Sequence, residues 1–133
     1  MAETTPAAPR GVVVHEDDVP VEAWDGIVSW RTLLSADRTA SASLTVGTAT
    51  LDPGASVDGA LHRHAPDEIY VILEGEGLVH IDGEAHPVRA GSAVFVPGGA
   101  WHHAENTGSG PLRLLYAFAV DSFADVVYEY PEP

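Results

Sequence analysis

The chain has 133 residues, and its 20 Asp and Glu against six Arg and no Lys give a formal charge of −14 with His neutral. The missing Cys exclude disulfide bonds, a thiol nucleophile and a Cys-ligated zinc site, and the missing Lys exclude Schiff-base chemistry and a P-loop. Because so negative a surface repels polyanions, we expect neither nucleic acid nor anionic lipid as a partner.

One domain accounts for a chain of this length, since 45% hydrophobic residues suffice for a core. The first ten residues carry neither the basic cluster nor the apolar run of a signal peptide. We therefore predict a flexible tail over residues 1–10 and a single domain over residues 11–133. No apolar run reaches the ~20 residues of a membrane-spanning helix, so we expect no membrane partner and a cytoplasmic location.

Short segments separated by Gly and Pro follow one another along the chain, and their apolar residues alternate with a period of two. This alternation predicts strands at residues 12–15, 27–34, 42–51, 69–73, 78–82, 93–96, 112–120 and 126–130. Turn sequences such as Asp82-Gly83 and Pro97-Gly98-Gly99 lie between them. Many short strands at even spacing favour an all-β barrel or jelly roll.

Three His and one Glu have the spacing of metal ligands. His62 and His64 are two residues apart, so on an extended strand both imidazoles point to the same face. Glu68 keeps the same parity across the intervening turn, and His102 can join them from another hairpin because a barrel brings distant strands together. Three imidazoles and one carboxylate predict a site for one divalent transition metal: Zn, Fe, Mn, Ni, Co or Cu.

These residues resemble the two sequence signatures of the cupin superfamily. The first signature is matched by His62, His64, Glu68 and Gly75, and the second by Gly91, Pro97, Gly99, His102 and Asn106. Ser56 is the one departure, because the family has Gly at that position. The resemblance implies a single-domain double-stranded β-helix, or jelly roll, with six to eight strands per sheet and a metal in its bowl.

The other four His are expected at the surface. His103 has the parity opposite to His102, and His80 lies between two apolar residues that take the inward side. His15 and His86 lie near predicted strand ends.

Aromatic residues on two strands are expected to line the bowl. Tyr70 lies two residues after Glu68, so its phenol enters the cavity close to the metal, where a cation would favour the phenolate. Tyr70 is therefore a candidate base. Tyr116 and Phe118 share the inward parity of their strand and are expected to form a wall around the substrate, although both also suit a plain barrel core. For the tryptophans we expect packing or an interface: Trp24, Trp30 and Trp101.

The chain also resembles a narrower group, the small cupin lyases that cleave dimethylsulfoniopropionate to acrylate and dimethyl sulfide. In that group a Tyr two residues after the metal-binding Glu takes part in α-proton abstraction, which corresponds to Tyr70. A C-terminal Phe-x-x-Val-x-Tyr sequence corresponds to Phe123, Val126 and Tyr128, which implies a catalytic role for Tyr128. In its short tail and in the spacing between its His residues, the chain is also similar to small polyketide cyclases.

Three functions follow as hypotheses. The first is a metal-dependent lyase, isomerase or cyclase that acts on a small anionic or carbonyl-containing metabolite by redox-neutral Lewis-acid and proton-abstraction chemistry. The second is a metal-dependent dioxygenase, and the third is a cupin that binds a small molecule without turnover. Because small jelly rolls leave sheet edges uncovered, we also expect a homodimer, with the segments that begin at Val12 and Ile27 adding to a partner's sheet.

Overall fold

The computed structural model describes residues 8–24, 28–55 and 61–132. Its strands are β1 (Glu22–Trp24), β2 (Val28–Leu34), β3 (Thr45–Leu51), β4 (Glu68–Glu74), β5 (Glu76–Ile81), β6 (Glu84–Arg89), β7 (Ala93–Val96), β8 (His102–Asn106) and β9 (Leu112–Phe118). Short 3-10 turns occur at Glu16–Asp18 and Phe123–Asp125. Within that part of the chain, no helix has the length and apolar character needed to span a bilayer.

The strands form two antiparallel sheets, which confirms the predicted all-β, single-domain architecture. The larger sheet has the order β1-β2-β3-β9-β4-β7, and the smaller sheet has the order β6-β5-β8. Among the described residues the smaller sheet therefore has three strands rather than the six to eight that the resemblance implies. The non-sequential neighbours β3, β9 and β4 bring distant parts of the chain side by side in the larger sheet.

Alternating burial along β3 and β9 builds the core. Every second residue of each strand is buried, and large side chains on β9 lie opposite small residues on β3. The pairs are Thr45 with Phe118, Gly47 with Tyr116 and Ala49 with Leu114. The small residues make room for the aromatic rings, so the inner face of the larger sheet carries a wall of aromatic side chains.

A tight turn and one buried amide shape the smaller sheet. Asp82 and Gly83 connect β5 to β6 with φ angles of 47° and 85°, as a type I′ hairpin turn requires. On β8, the side-chain amide of Asn106 donates hydrogen bonds to the carbonyls of Leu51 and Gly110, both at 2.9 Å. Asn106 thereby ties the smaller sheet to the end of β3 in the larger one.

Two predicted strands are wrong. Residues 12–15 form no strand, and His15 instead caps the following 3-10 turn by accepting a hydrogen bond from the amide of Asp17. Residues 126–130 follow the second 3-10 turn as an extended segment that forms, among the described residues, a single bridge between Glu129 and Arg63. In addition, the predicted strand at 42–51 begins only at Thr45.

Three strands were not predicted, namely β1, β6 and β8. Residue 27 of one predicted strand, residues 1–7 of the predicted tail, and Ser56 lie outside the described residues. The amide of Arg10 donates to the carbonyl of Ala40 at 3.0 Å. The tail boundary, the homodimer and the cytoplasmic location stay predictions.

Candidate metal centre

Separate parts of the chain bring the predicted ligands together. Glu68 is the first residue of β4, and His102 is the first residue of β8. His62 and His64 lie just before β4, and the backbone of His62 pairs with that of His102. Each of these two amides donates to the other residue's carbonyl, at 3.1 and 2.9 Å. This pairing attaches the segment that leads into the larger sheet to the smaller sheet, at the point where the four side chains converge.

The four donor groups form one compact cluster. One nitrogen from each imidazole and one carboxylate oxygen all lie within 4.8 Å of one another. Oε1 of Glu68 is 3.2 Å from Nε2 of both His64 and His102. These three residues are buried, whereas His62 is half-buried at the cavity surface. The structure therefore places together all four residues that the sequence singled out.

Hydrogen bonds around the two buried imidazoles indicate what fits between the donors. Nδ1 of His64 lies 2.9 Å from the carbonyl oxygen of Pro66, and Nδ1 of His102 lies 2.8 Å from that of Ala100. Since a carbonyl only accepts, each Nδ1 carries a proton, and Nε2 of a neutral ring then presents a lone pair to Glu68. Such a lone pair repels a carboxylate oxygen unless a proton or a cation lies between them.

A divalent cation suits this arrangement. Metal–ligand bonds of about 2.0–2.2 Å place neighbouring donors of a tetrahedral or octahedral site roughly 3–3.5 Å apart. The 3.2 Å separations between Glu68 and the two buried imidazoles fall in that range. The carbonyl acceptors also fix both rings with Nε2 toward the centre, as is usual for metal-binding His. The cluster is therefore suitable for one metal ion.

The cluster shifts the pKa values of its own members. Burial lowers the pKa of His64, but the hydrogen bond to Glu68 and the negative charge of Glu68 outweigh burial, so this pKa is raised overall. Burial raises the pKa of Glu68, but hydrogen bonds to His102 and His64 and their positive charge outweigh it and hold this pKa below its ordinary value. Both shifts favour imidazolium beside carboxylate, which is the arrangement expected when protons neutralise the cluster instead of a metal.

A cavity of about 400 Å³ adjoins the cluster, and His62 and Glu68 reach its surface. Much of its wall is aromatic: Trp24, Trp30, Tyr70, Tyr116, Phe123, Tyr128 and Tyr130. Among the described residues that line it there is no Arg. A ligand in this cavity could therefore meet positive charge only at the cluster, and elsewhere it would contact ring faces and aliphatic side chains.

The two tyrosines with predicted catalytic roles both lie in this cavity. Tyr70 follows Glu68 by two residues on β4 and is 7% exposed. The ring of Tyr128 approaches from the C-terminal segment, with its centroid 5.1 Å from that of His62 and 5.5 Å from that of His64. Burial raises the pKa of both phenols well above the ordinary value of tyrosine, and the negative charge of Glu68 adds to this increase.

The two predicted wall residues on β9 have different positions. Tyr116 lines the cavity, and burial raises its pKa to about 12. Phe118 is fully buried and is not among the lining residues; its ring centroid lies 5.1 Å from that of His64. Phe118 therefore supports a ligand of the candidate metal site from behind.

Two tryptophans belong to the cavity, although the sequence assigned them to packing or an interface. Trp24 and Trp30 lie on β1 and β2 and line the cavity. Trp30 pairs with Ala49 of β3, a small inward-facing neighbour, so the position of its ring in the cavity depends on which strands pair. Trp101 instead packs against the guanidinium of Arg63, 4.5 Å from the ring centroid.

Comparison with known proteins gives consistent results. Residues 47–118, more than half of the chain, match the model of the cupin domain. The chain is 42% identical over 107 residues to the dimethylsulfoniopropionate lyase DddW of Ruegeria pomeroyi. This match covers 79% of this chain and 67% of that protein. It is 35% identical over 112 residues to an oxalate-binding protein of Thermotoga maritima, covering 79% of this chain and 91% of that protein.

Among solved structures, the polyketide cyclase RemF of Streptomyces resistomycificus superposes with a TM-score of 0.73. That match covers 92% of this chain and 88% of the cyclase at 20% identity, so it concerns the fold alone.

Proposed function

Because the chain belongs to the cupin domain family, we propose that it is a metal-dependent enzyme that abstracts a proton next to the carboxylate or carbonyl group of a small metabolite. Elimination, isomerisation or ring closure then follows without oxygen. The four-donor cluster at the surface of an aromatic cavity that also holds two buried phenols carries this proposal. His62, His64, Glu68 and His102 would hold the metal, which when bound would stabilise negative charge on oxygen atoms of the substrate and of a nearby phenol.

Tyr70 is the residue we assign to proton transfer. Its side chain adjoins Glu68 on the same face of β4 and lies on the cavity wall. Since burial and the charge of Glu68 raise its pKa, Tyr70 is a neutral phenol unless positive charge is added nearby. Tyr128 is placed beside His62 from the other side and is the second candidate for holding or donating a proton.

A small carboxylate that carries a sulfonium group is the substrate class we favour. Ring faces attract cations, and Trp30, Tyr116 and Phe123 offer such faces in a cavity without an arginine among the described lining residues. The carboxylate of the substrate would occupy the positively charged end, at the cluster. Removal of the α-proton and departure of the sulfide from the β-carbon would yield an unsaturated carboxylate and a neutral sulfide. The 42% identity to a dimethylsulfoniopropionate lyase supports this choice.

Binding of a small carboxylate without turnover is the second candidate. The observation that favours it is the similarity to an oxalate-binding protein, 91% of which is covered by the match.

One experiment separates these possibilities. The protein, loaded in turn with each candidate metal, is mixed with dimethylsulfoniopropionate under air and under nitrogen, and release of dimethyl sulfide is measured by gas chromatography. We expect equal rates in both gases, and a Tyr70→Phe rate that is lower by about 100-fold or more. Metal content and melting temperature, measured on the same Tyr70→Phe sample, show that the site and the fold remain.

Each other outcome counts against a specific part of the proposal. Undiminished turnover by Tyr70→Phe would contradict the role of Tyr70. Oxygen consumption together with inactivity under nitrogen would point to the dioxygenase hypothesis. Tight binding of oxalate with no turnover of any carboxylate tested would favour the binding protein.

A further inference from the structure

Arg63 lies between two of the candidate metal ligands, but it contacts a different part of the chain. His62 and His64 belong to the donor cluster, whereas the backbone of Arg63 pairs with Glu129 in the C-terminal segment. The amide of Arg63 donates to the carbonyl of Glu129 at 3.0 Å, and the amide of Glu129 donates back at 2.9 Å. This is an antiparallel bridge, so it sets the position of the adjacent Tyr128 against the cluster.

The side chain of Arg63 reinforces the same contact. Its Nε lies 2.8 Å from Oε2 of Glu129, and its guanidinium lies 4.5 Å from the ring centroid of Trp101. The amide of Trp101 donates to Asp82, which anchors it at the start of β8. Arg63 thus links the C-terminal segment to the smaller sheet through one planar cation that both pairs with a carboxylate and stacks on an indole.

The C-terminal segment has few other anchors among the described residues. Val126 is buried, but Val127 is 71% exposed and Tyr130 is 57% exposed. The ring of Tyr128 contacts Phe123 with a centroid distance of 6.2 Å, in addition to the imidazoles of the cluster. Tyr128 and Tyr130 both line the cavity, so the position of this segment decides how far the cavity is open.

From these contacts we propose that Arg63 is a positioning residue that fastens residues 127–130 over the cavity and so controls access to the candidate metal centre. This inference rests on the proposed function only for its effect on substrate. Its effect on metal exchange and on the exposure of the segment is independent of which reaction occurs.

The test compares wild type with Arg63→Ala, Glu129→Gln and a matched control, Arg89→Ala. Arg89 is an exposed arginine on β6 of the smaller sheet and makes no ion pair among those found in the described part of the chain. Hydrogen exchange of the Glu129 amide is followed by mass spectrometry, and loss of Co²⁺ from the loaded protein to excess EDTA is followed by absorbance. Circular dichroism shows whether each variant is folded.

We expect Arg63→Ala to increase exchange at Glu129 and loss of Co²⁺ each by about 10-fold. The increase should be smaller for Glu129→Gln, because Gln keeps an oxygen that accepts from Nε of Arg63 and the guanidinium stays on Trp101. Arg89→Ala should match the wild type. With dimethylsulfoniopropionate, KM should rise more than kcat falls. Wild-type rates for Arg63→Ala in both assays would overturn the proposal, and so would equal changes in Arg89→Ala. If Arg63→Ala unfolds, Glu129→Gln decides by the same two rates.

The outcomes also distinguish this inference from the proposed function. If no carboxylate is turned over, metal loss and exchange still test Arg63. If the chain holds none of the candidate metals, the assignment of the metal centre is wrong, and the exchange of Glu129 alone tests whether Arg63 fastens the segment.

Discussion

Gly47 provides the sharpest test of how the cavity wall is packed. It lies on β3 directly opposite Tyr116 of β9. A Cβ atom at position 47 would lie 2.2 Å from the phenol oxygen of Tyr116 and 2.6 Å from the backbone carbonyl oxygen of Arg31. Tyr116 is 5% exposed, so its ring cannot turn into solvent. Gly47→Ala must therefore push the ring toward the cavity or separate the paired strands.

Overpacking of this kind costs about 1–3 kcal/mol. For a domain of this size, each kcal/mol lowers Tm by roughly 3–5 °C, so we expect a decrease of roughly 3–15 °C by calorimetry. Gly110→Ala is the matched control, because a Cβ atom at Gly110 meets nothing within 4 Å. Equal Tm values for Gly47→Ala and Gly110→Ala would refute this account of the wall.

A double-mutant cycle identifies the contact responsible. In a Tyr116→Leu background the phenol ring is absent, so Gly47→Ala should cost less than in the wild type. The remaining cost then measures the contact with the Arg31 carbonyl. An undiminished cost in this background would assign the whole effect to that carbonyl and would remove Tyr116 from the explanation.

Two further predictions concern the cluster and its support. Without metal, the pKa of Glu68 lies below 4.5, so Glu68 stabilises the fold above that pH and loses this contribution as the pH falls through its folded pKa. The pKa of His64 lies above 6.5, so His64 stabilises the fold below that pH and loses its contribution as the pH rises through its folded pKa. Urea midpoints of the chelator-treated protein should therefore fall as the pH rises above about 6.5. A wild-type midpoint that does not change over this pH range would contradict the raised pKa of His64. The same holds if the midpoint of Glu68→Gln falls with pH as steeply as that of the wild type. Phe118→Ala should destabilise the fold by about 3–5 kcal/mol and weaken metal binding, because the ring packs on His64. Calorimetry and metal titration check these two effects, and Phe118→Leu should be milder in both. Wild-type metal affinity in Phe118→Ala would show that the ring does not orient His64.

The central strands could be predicted because their side chains alternate between core and surface. The predicted strand at 69–73 lies within β4, and the one at 112–120 contains β9. In β9 every second residue is at most 5% exposed. A period of two in the sequence therefore indicates directly which side chains of the strand are buried.

Two of the strands that were not predicted, β6 and β8, form through pairing with a neighbouring strand, because their own sequences lack alternating apolar residues. In β6 the first four residues are exposed and one of them is Pro87, so no alternation marks it. β8 has the sequence His-His-Ala-Glu-Asn, which contains a single apolar residue and therefore shows no apolar alternation either. Both strands exist because β5 pairs with them on either side. Residues 126–130 show the opposite case: their Val and Tyr residues predict a strand, but in the described part of the chain they form one bridge and no ladder.

In the candidate site, too, some residues could be predicted from local spacing, whereas others could not. The spacing of His62 and His64 predicts that their imidazoles share one face, and the structure places both in the cluster even though they lie outside a regular strand. The contribution of Trp30 to the cavity depends on its pairing with Ala49, which no local pattern reveals. Local periodicity therefore identifies candidate ligands, whereas the cavity that surrounds them depends on which strands are neighbours.

The short segment before β4 connects the metal site to the closure of the cavity. Successive residues of an extended chain direct their backbone hydrogen bonds to opposite edges. His62 accordingly pairs with His102 on one edge, while Arg63 pairs with Glu129 on the other. Loss of the pairing at Glu129 would leave one edge of a ligand-bearing segment without its partner. The contact that covers the cavity thus also steadies two of the metal ligands, and this is why metal release and KM should change together when Arg63 is replaced.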